Sequence, residues 1–260
     1  MSTSEAVDTV KKRFDPPIEI PKCPHATTPP SPDDYGPMIT VIVGKAGHEQ
    51  KFYAHKGLLI HYSSYFRAAL KEEWEEGAAK TVKLPEDYPD VFRVFFQWLM
   101  TGRLYFALTE EGEISLSFGL ICETFVFGDA RGIPELQDAA INLLCQRIAQ
   151  VWSSPWDCLH YVYANTLPGS ALRRILVDDS IANSTLIFVK EDPKDVPSDF
   201  LRDVLVGAHE NKCSPGHLLD HTTWLKTFKG RLCQYHQHTT FEVENGLSIS
   251  SDLAAKQEGS

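Results

Sequence analysis

Long apolar runs are missing from this chain. No stretch approaches the ~18 residues needed to cross a bilayer, and residues 1–14, MSTSEAVDTVKKRF, hold nothing like the apolar centre of a signal peptide. Positive charge is in deficit as well: 25 Lys and Arg stand against 35 Asp and Glu, for a net charge of −10. A chain of that sign lacks the basic footprint that grips nucleic acid and the polybasic patch that grips anionic lipid. The expectation is a soluble protein of the cytoplasm and/or nucleus, with no direct nucleic-acid or membrane partner.

Paired cysteines are also lacking. The six cysteines are Cys23, Cys122, Cys145, Cys158, Cys213 and Cys233, and none forms a C-x-x-C pair. Several fall inside apolar helical patterns, where a free thiol behaves as a small hydrophobe. That usage suits a reducing compartment better than a disulfide scaffold. The chain has no G-x-x-x-x-G-K-[ST] or G-x-G-x-x-G phosphate cradle and no G-x-S-x-G nucleophile turn. No cofactor and no enzymatic activity are expected. Asp178 and Asp179, beside Arg173 and Arg174, read as exposed helical ion pairs such as Arg174–Asp178.

What is present suffices for a globular core: 260 residues, 43% hydrophobic and 23% charged. Residues 1–34 are rich in Pro, Ser and Thr and read as a disordered tail. MITVIV (38–43) and QKFYA (50–54), separated by a glycine-bearing turn, read as a hairpin, and the unbroken apolar character of the first strand predicts burial on both faces. Two short helices follow. The second is capped by Ser63 and carries Phe66 inward. TVKL (81–84) is a third strand.

Phe92, Phe95, Phe96 and Leu99 recur at helical spacing between Asp87 and Met100, with Pro89 near the start and Gly102 as the stop. Residues 104–108 suggest a short strand. Further helices are expected over 117–127, ended by Gly128, and from 133 to about 151. Beyond that the pattern is wholly helical. Ser154-Pro155-Trp156-Asp157 reads as a helix start; Leu172, Ile175 and Leu176 mark another helix, and Phe200, Leu201, Val204 and Leu205 one more. Residues 190–198 read as a linker.

Three stretches together carry a resemblance. Phe52-Tyr53-Ala54-His55-Lys56, with Leu58, Leu59, Ser63, Tyr65 and Phe66, resembles the BTB/POZ signature F-x-A-H-K-x-x-L-x-x-x-S-x-Y-F. Leu84-Pro85-Glu86-Asp87 and Thr101-Gly102-Arg103-Leu104 resemble the family's motifs before and after its central helix. Val126 to Ala130, with Ile133-Pro134-Glu135-Leu136-Gln137, is similar to a stretch of fungal-type members.

The resemblance implies an α+β fold: a BTB/POZ-like small sheet with a flanking helical cluster over 35–150, then an all-helical extension over 151–240 and a disordered tail over 241–260. It implies a protein-interaction module that self-associates and/or binds adaptors. Met38, Leu58, Leu59 and Tyr62 lie in the segments that would supply a homodimer face. Met38 stands where transcription-factor members begin the first strand with an acid, so the charged pocket they share with a basic residue is not expected here, although Lys56 is kept. Adaptors of cullin-type ubiquitin ligases carry a hydrophobic-x-Glu motif after the second helix, and Trp74-Glu75-Glu76 has that form. Trp74 and Glu76 are thus the candidate contacts to a cullin scaffold. His55, where a strand turns into a helix, is expected as a buried, hydrogen-bonded core residue.

A second reading rests on Cys233-x-x-His236-x-His238. His236 and His238 point the same way on an extended segment, and Cys213 or His221 could complete a four-ligand zinc set. That alternative would make the chain a zinc-binding regulator or enzyme.

Overall fold

The structure, a computed structural model, describes residues 13–71, 80–184, 196–211 and 218–238. Strands β1 (Met38–Val43) and β2 (Gln50–His55) pair antiparallel, with Met38 opposite His55 and Val43 opposite Gln50. Gly44 and Gly47 both take positive φ in the connection, which an L side chain resists. Helices α1 (Lys56–Tyr62) and α2 (Ser64–Ala69) then lead toward β3 (Thr81–Leu84). That strand lies parallel to β1, so the order is β2-β1-β3. A parallel neighbour needs a crossover rather than a hairpin, and the helical segment provides it.

Contrary to the two-faced burial expected of MITVIV, β1 alternates. Ile39, Val41 and Val43 are buried, while Met38 is exposed and Thr40 and Ile42 are half-buried. The helices cover one face of the sheet, so the strand pleat divides the run in two.

The covered face receives α3 (Pro89–Thr101), and α4 (Phe118–Ala130) packs against α3. In α3, proline occupies the first turn and Gly102 closes the helix at φ +70. Its Phe92 and Phe95 meet Phe52, Phe66 and Phe127 in a buried aromatic cluster. Between these helices Leu108 and Ile114 make one bridge in place of the expected strand. Helix α4 does not end at Gly128. That residue lies inside it because Gln137 packs against it, leaving only 3.1 Å from a would-be Cβ to the Gln137 Cγ. Helix α5 (Pro134–Val151) pairs with α4 along its length.

The extension contains α6 (Leu159–Asn165), α7 (Ala171–Asn183), α8 (Ser198–Glu210) and α9 (His221–Arg231), followed by a 3-10 turn at Leu232–Tyr235. Residues 154–157 lead into a 3-10 turn (Trp156–Cys158) rather than a capped α-helix, because the Ser154 hydroxyl is spent on Asp179. Leu205 on α8 faces solvent. The apolar core is continuous from Ile39 to Tyr235, so the packing has no seam at residue 150.

Part of the proline-rich leader is also built onto the body. Phe14 donates from its backbone to the Glu111 carbonyl at 2.9 Å. Gln150 and Gln146 of α5 donate to the carbonyls of Asp15 and Ile18 at 2.8 and 2.7 Å. Ile18 and Ile20 pack on the core. Residues 13–34, expected as a tail, therefore form a strap: proline removes internal donors, but the strap's carbonyls find partners on α5. Residues 1–12, the 241–260 tail and most of the 190–198 linker lie outside the described residues.

Candidate functional site

Two regions hold some of the residues singled out by sequence. The first is the outward face of the sheet. Met38 is 46% exposed and Tyr53 57%. Thr40, directly opposite Tyr53, and Ile42 share this face, where exposed Lys51 and Lys83 flank Ile42 from the two neighbouring strands. Leu58 and Leu59, expected on a partner face, are instead core residues at 3% and 0% exposure. Helix α1 turns this apolar pair into the core. Tyr62 is half-buried, its ring edge-on to Trp98 with centroids 5.0 Å apart. Trp74 and Glu76 lie outside the described residues. His55 is half-buried rather than enclosed, and its Nδ1 contacts the Gly36 carbonyl at 3.1 Å.

The second region is a cluster of sulfur and nitrogen donors. Cys23, Cys233, His236 and His238 each bring one ligand atom to within 4.8 Å of the others. The Cys23 and Cys233 sulfurs are 3.7 Å apart. The His238 Nε2 is 3.3 Å from each of them. Cys213 lies outside the described residues. His221 is not a member, because its Nε2 bonds the Ala149 carbonyl at 2.9 Å and its ring abuts Trp152. Cys23 was not singled out by the sequence, since its segment read as a tail. The one available signal was Cys23-Pro24-His25, a ligand-type pair around a turn-forming proline.

Local chemistry explains how the four meet. Cys23 starts a turn in which the Ala26 amide donates to the Cys23 carbonyl at 3.1 Å, with Pro24 at the position that favours its fixed φ. The turn also lays the His25 ring 4.4 Å from that of His238. Cys233 belongs to the 3-10 turn after α9, and the chain becomes extended at His236.

Helix α5 seats both segments. Its Glu135, Asp138 and Asn142 share one face by helical spacing. Glu135 accepts from the Thr27 hydroxyl at 2.9 Å. Asp138 accepts from the Gln237 amide at 2.6 Å. The Asn142 carboxamide oxygen accepts from the His236 Nε2 at 2.9 Å.

The electrostatics follow from burial. Desolvation, reinforced by His238, holds His236 below the ordinary histidine range. Desolvation and His25 do the same to His238. Both imidazoles are thus biased toward the neutral form that offers a lone pair. Burial, aided by the Cys23 thiol, pushes the Cys233 thiol up.

Comparison with known proteins concerns the first region. Residues 39–117 match the family model of the BTB/POZ domain. The match runs from β1 to the residue before α4. The chain is also similar to the TD and POZ domain-containing protein 4 of Mus musculus, at 28% identity over 104 residues, or 40% of this chain and 25% of that protein. The chain thus spans about a quarter of the length of that relative. The relative is a mouse protein, so the fungal-type likeness of residues 126–137 is carried by sequence alone.

Proposed function

We propose that this chain, whose residues 39–117 are a BTB/POZ domain, works by pairing with a second copy of itself through the open face of its sheet. The family is one of protein–protein interaction modules, and it is typically non-enzymatic. The observation that carries the specific reading is the outward face of β1 and β2. There Met38 and Tyr53 are exposed beside half-buried Ile42, while the opposite face is filled by helices. An antiparallel pair with one open face is stable in water when that face is polar. An aromatic and two aliphatic side chains there, rimmed by Lys51 and Lys83, favour a covering partner. A closed two-fold pair is the commonest way to cover such a surface, because each copy supplies the same patch.

Light scattering of the purified chain tests this. A dimer that becomes a folded monomer in the double variant Met38→Glu, Tyr53→Glu supports the sheet-face pair. A monomeric parent overturns it. A dimer indifferent to the substitutions moves the contact elsewhere.

A cullin-adaptor role is a finer reading, supported by Trp74-Glu75-Glu76 in the sequence. Co-purification with a cullin amino-terminal domain tests it, and loss on Trp74→Ala with Glu76→Ala is the expected result. In that role the helical extension would present the cargo, in the cytoplasm and/or nucleus.

A further inference from the structure

The donor cluster on α5 has no part in the sheet-face reading and points to a different chemistry. We propose that Cys23, Cys233, His236 and His238 bind one zinc ion as a closed two-cysteine, two-histidine site that fastens the leader strap to the C-terminal end of the helical extension.

The spacing fits. Zinc holds thiolate sulfur at about 2.3 Å and imidazole nitrogen at about 2.0 Å, in a tetrahedron. The edges of such a tetrahedron are about 3.8 Å between sulfurs and about 3.6 Å between sulfur and nitrogen, from the same bond lengths. The separations here are 3.7 Å between the two sulfurs and 3.3 Å from each sulfur to His238. Three of the four ligand atoms therefore already stand near tetrahedral separations, and the His236 nitrogen lies within 4.8 Å of each of them.

The second observation is independent of the spacing. His236 is 9% exposed, and its Nδ1 is buried without a hydrogen-bond partner. Its other nitrogen is committed to Asn142. A buried ring nitrogen with nothing to accept from is costly. It is also the form of a metal-bound histidine: one nitrogen donates to an oriented acceptor, and the other is left bare for the ion. Asn142 is that orienting acceptor.

Two other accounts of the cluster explain less. A disulfide needs the sulfurs at about 2.05 Å, and it would leave both imidazoles and the His236 orphan without a purpose. A web of thiol–imidazole hydrogen bonds leaves the same orphan. Zinc uses all four donors. Its binding releases two protons, one from each thiol, and the two thiolates balance the double charge of the ion. Two soft sulfurs with two imidazoles also select zinc over calcium and magnesium, which take oxygen ligands.

Four protein ligands leave no open position, so the role is structural. The ion would join residues separated by 210 positions. In doing so it would hold the strap residues 13–27 against α5.

The test is elemental analysis of the full chain, purified with its thiols reduced and without chelator. Stoichiometric zinc is expected, and replacement by cobalt(II) should give the absorption of a tetrahedral thiolate complex. Cys23→Ser should lose both signals while keeping its helical circular dichroism. Asn142→Ala should keep zinc but bind it about 10- to 100-fold more weakly. Chelation of the parent should expose the strap to limited proteolysis, a readout that does not depend on any variant folding. Absence of metal from reduced, folded parent at saturating zinc would overturn the proposal. So would Cys23→Ser binding as tightly as the parent, or a Cys23–Cys233 disulfide in protein kept under reducing conditions.

Discussion

The indole nitrogen of Trp224 donates to the carboxylate of Asp179 at 3.0 Å, joining α9 to α7 inside the helical extension. The Ser154 hydroxyl donates to the other oxygen of the same carboxylate at 2.5 Å. Asp179 is fully buried. It is the hub where the end of α5's connection, α7 and α9 meet. The sequence instead predicts exposed helical ion pairs for Asp178 and Asp179, such as Arg174–Asp178. Asp178 too is engaged, by the Tyr235 hydroxyl and, at 3.5 Å, by Arg231.

Burial raises Asp179 from the ordinary 3.8 to about 6, against the lowering effect of its hydrogen bonds. The folded state therefore holds this proton more tightly than the unfolded one. The associated stability is fully present below about pH 4 and is lost as pH rises through about 6. A difference of about 2 pH units corresponds to about 3 kcal/mol. Asp179→Asn removes the titration. The stability difference between parent and variant, measured by urea unfolding at pH 4.5 and 7.5, should shift in the parent's favour at the lower pH.

Trp224→Phe keeps the stacked contact with Phe228, whose ring lies 4.3 Å away. It removes a donor from a buried carboxylate. A loss of about 1.5–3 kcal/mol follows for a hydrogen bond to a charged group. Chemical denaturation at pH 7 checks it. The loss should shrink below the Asp179 titration, where the neutral acid needs the donor less.

Gly57 sits under the turn that leads into β1. Its amide donates to the Tyr35 carbonyl at 2.7 Å. A Cβ there would stand 1.9 Å from the Asp34 carbonyl oxygen. Gly57→Ala must push that turn off α1, at about 1–3 kcal/mol, the usual range for overpacking. Thermal unfolding should show a lower midpoint, with the helical signal unchanged before the transition.

Arg131 pairs with Asp87, and the two side chains are 20% and 15% exposed. Its guanidinium also lies 4.5 Å from the centre of the Tyr65 ring. Arg131→Met leaves Asp87 largely buried without its partner. The cost should be about 2 kcal/mol, below the 3–5 of a fully buried pair because water still reaches both groups. Asp87→Asn combined with Arg131→Met should recover part of it. A double-mutant cycle measured by denaturant unfolding gives the coupling.

Much of the BTB/POZ-like half was legible because its signals are local. The alternation in β2, the helical spacing of Phe92, Phe95 and Leu99, Pro89 at a helix start and Gly102 at its stop each act within a few residues. So do the motifs around His55 and Leu84, which carry the resemblance to the BTB/POZ domain that residues 39–117 match. The C-terminal Cys-x-x-His-x-His was visible for the same reason.

Only the tertiary structure decided what those elements face. It turned Leu58 and Leu59 inward and left Met38 and Tyr53 outside. It enclosed Asp179, which in sequence looks like any helical acid. It brought Cys23 to Cys233 across 210 positions. A side chain's burial and its distant neighbours depend on which helix face docks where, and local periodicity carries no record of that. The sequence by itself determined most of the elements and the BTB/POZ match of residues 39–117; the packing of the strap and the extension on α5 decided which of its polar groups have partners and which wait for one.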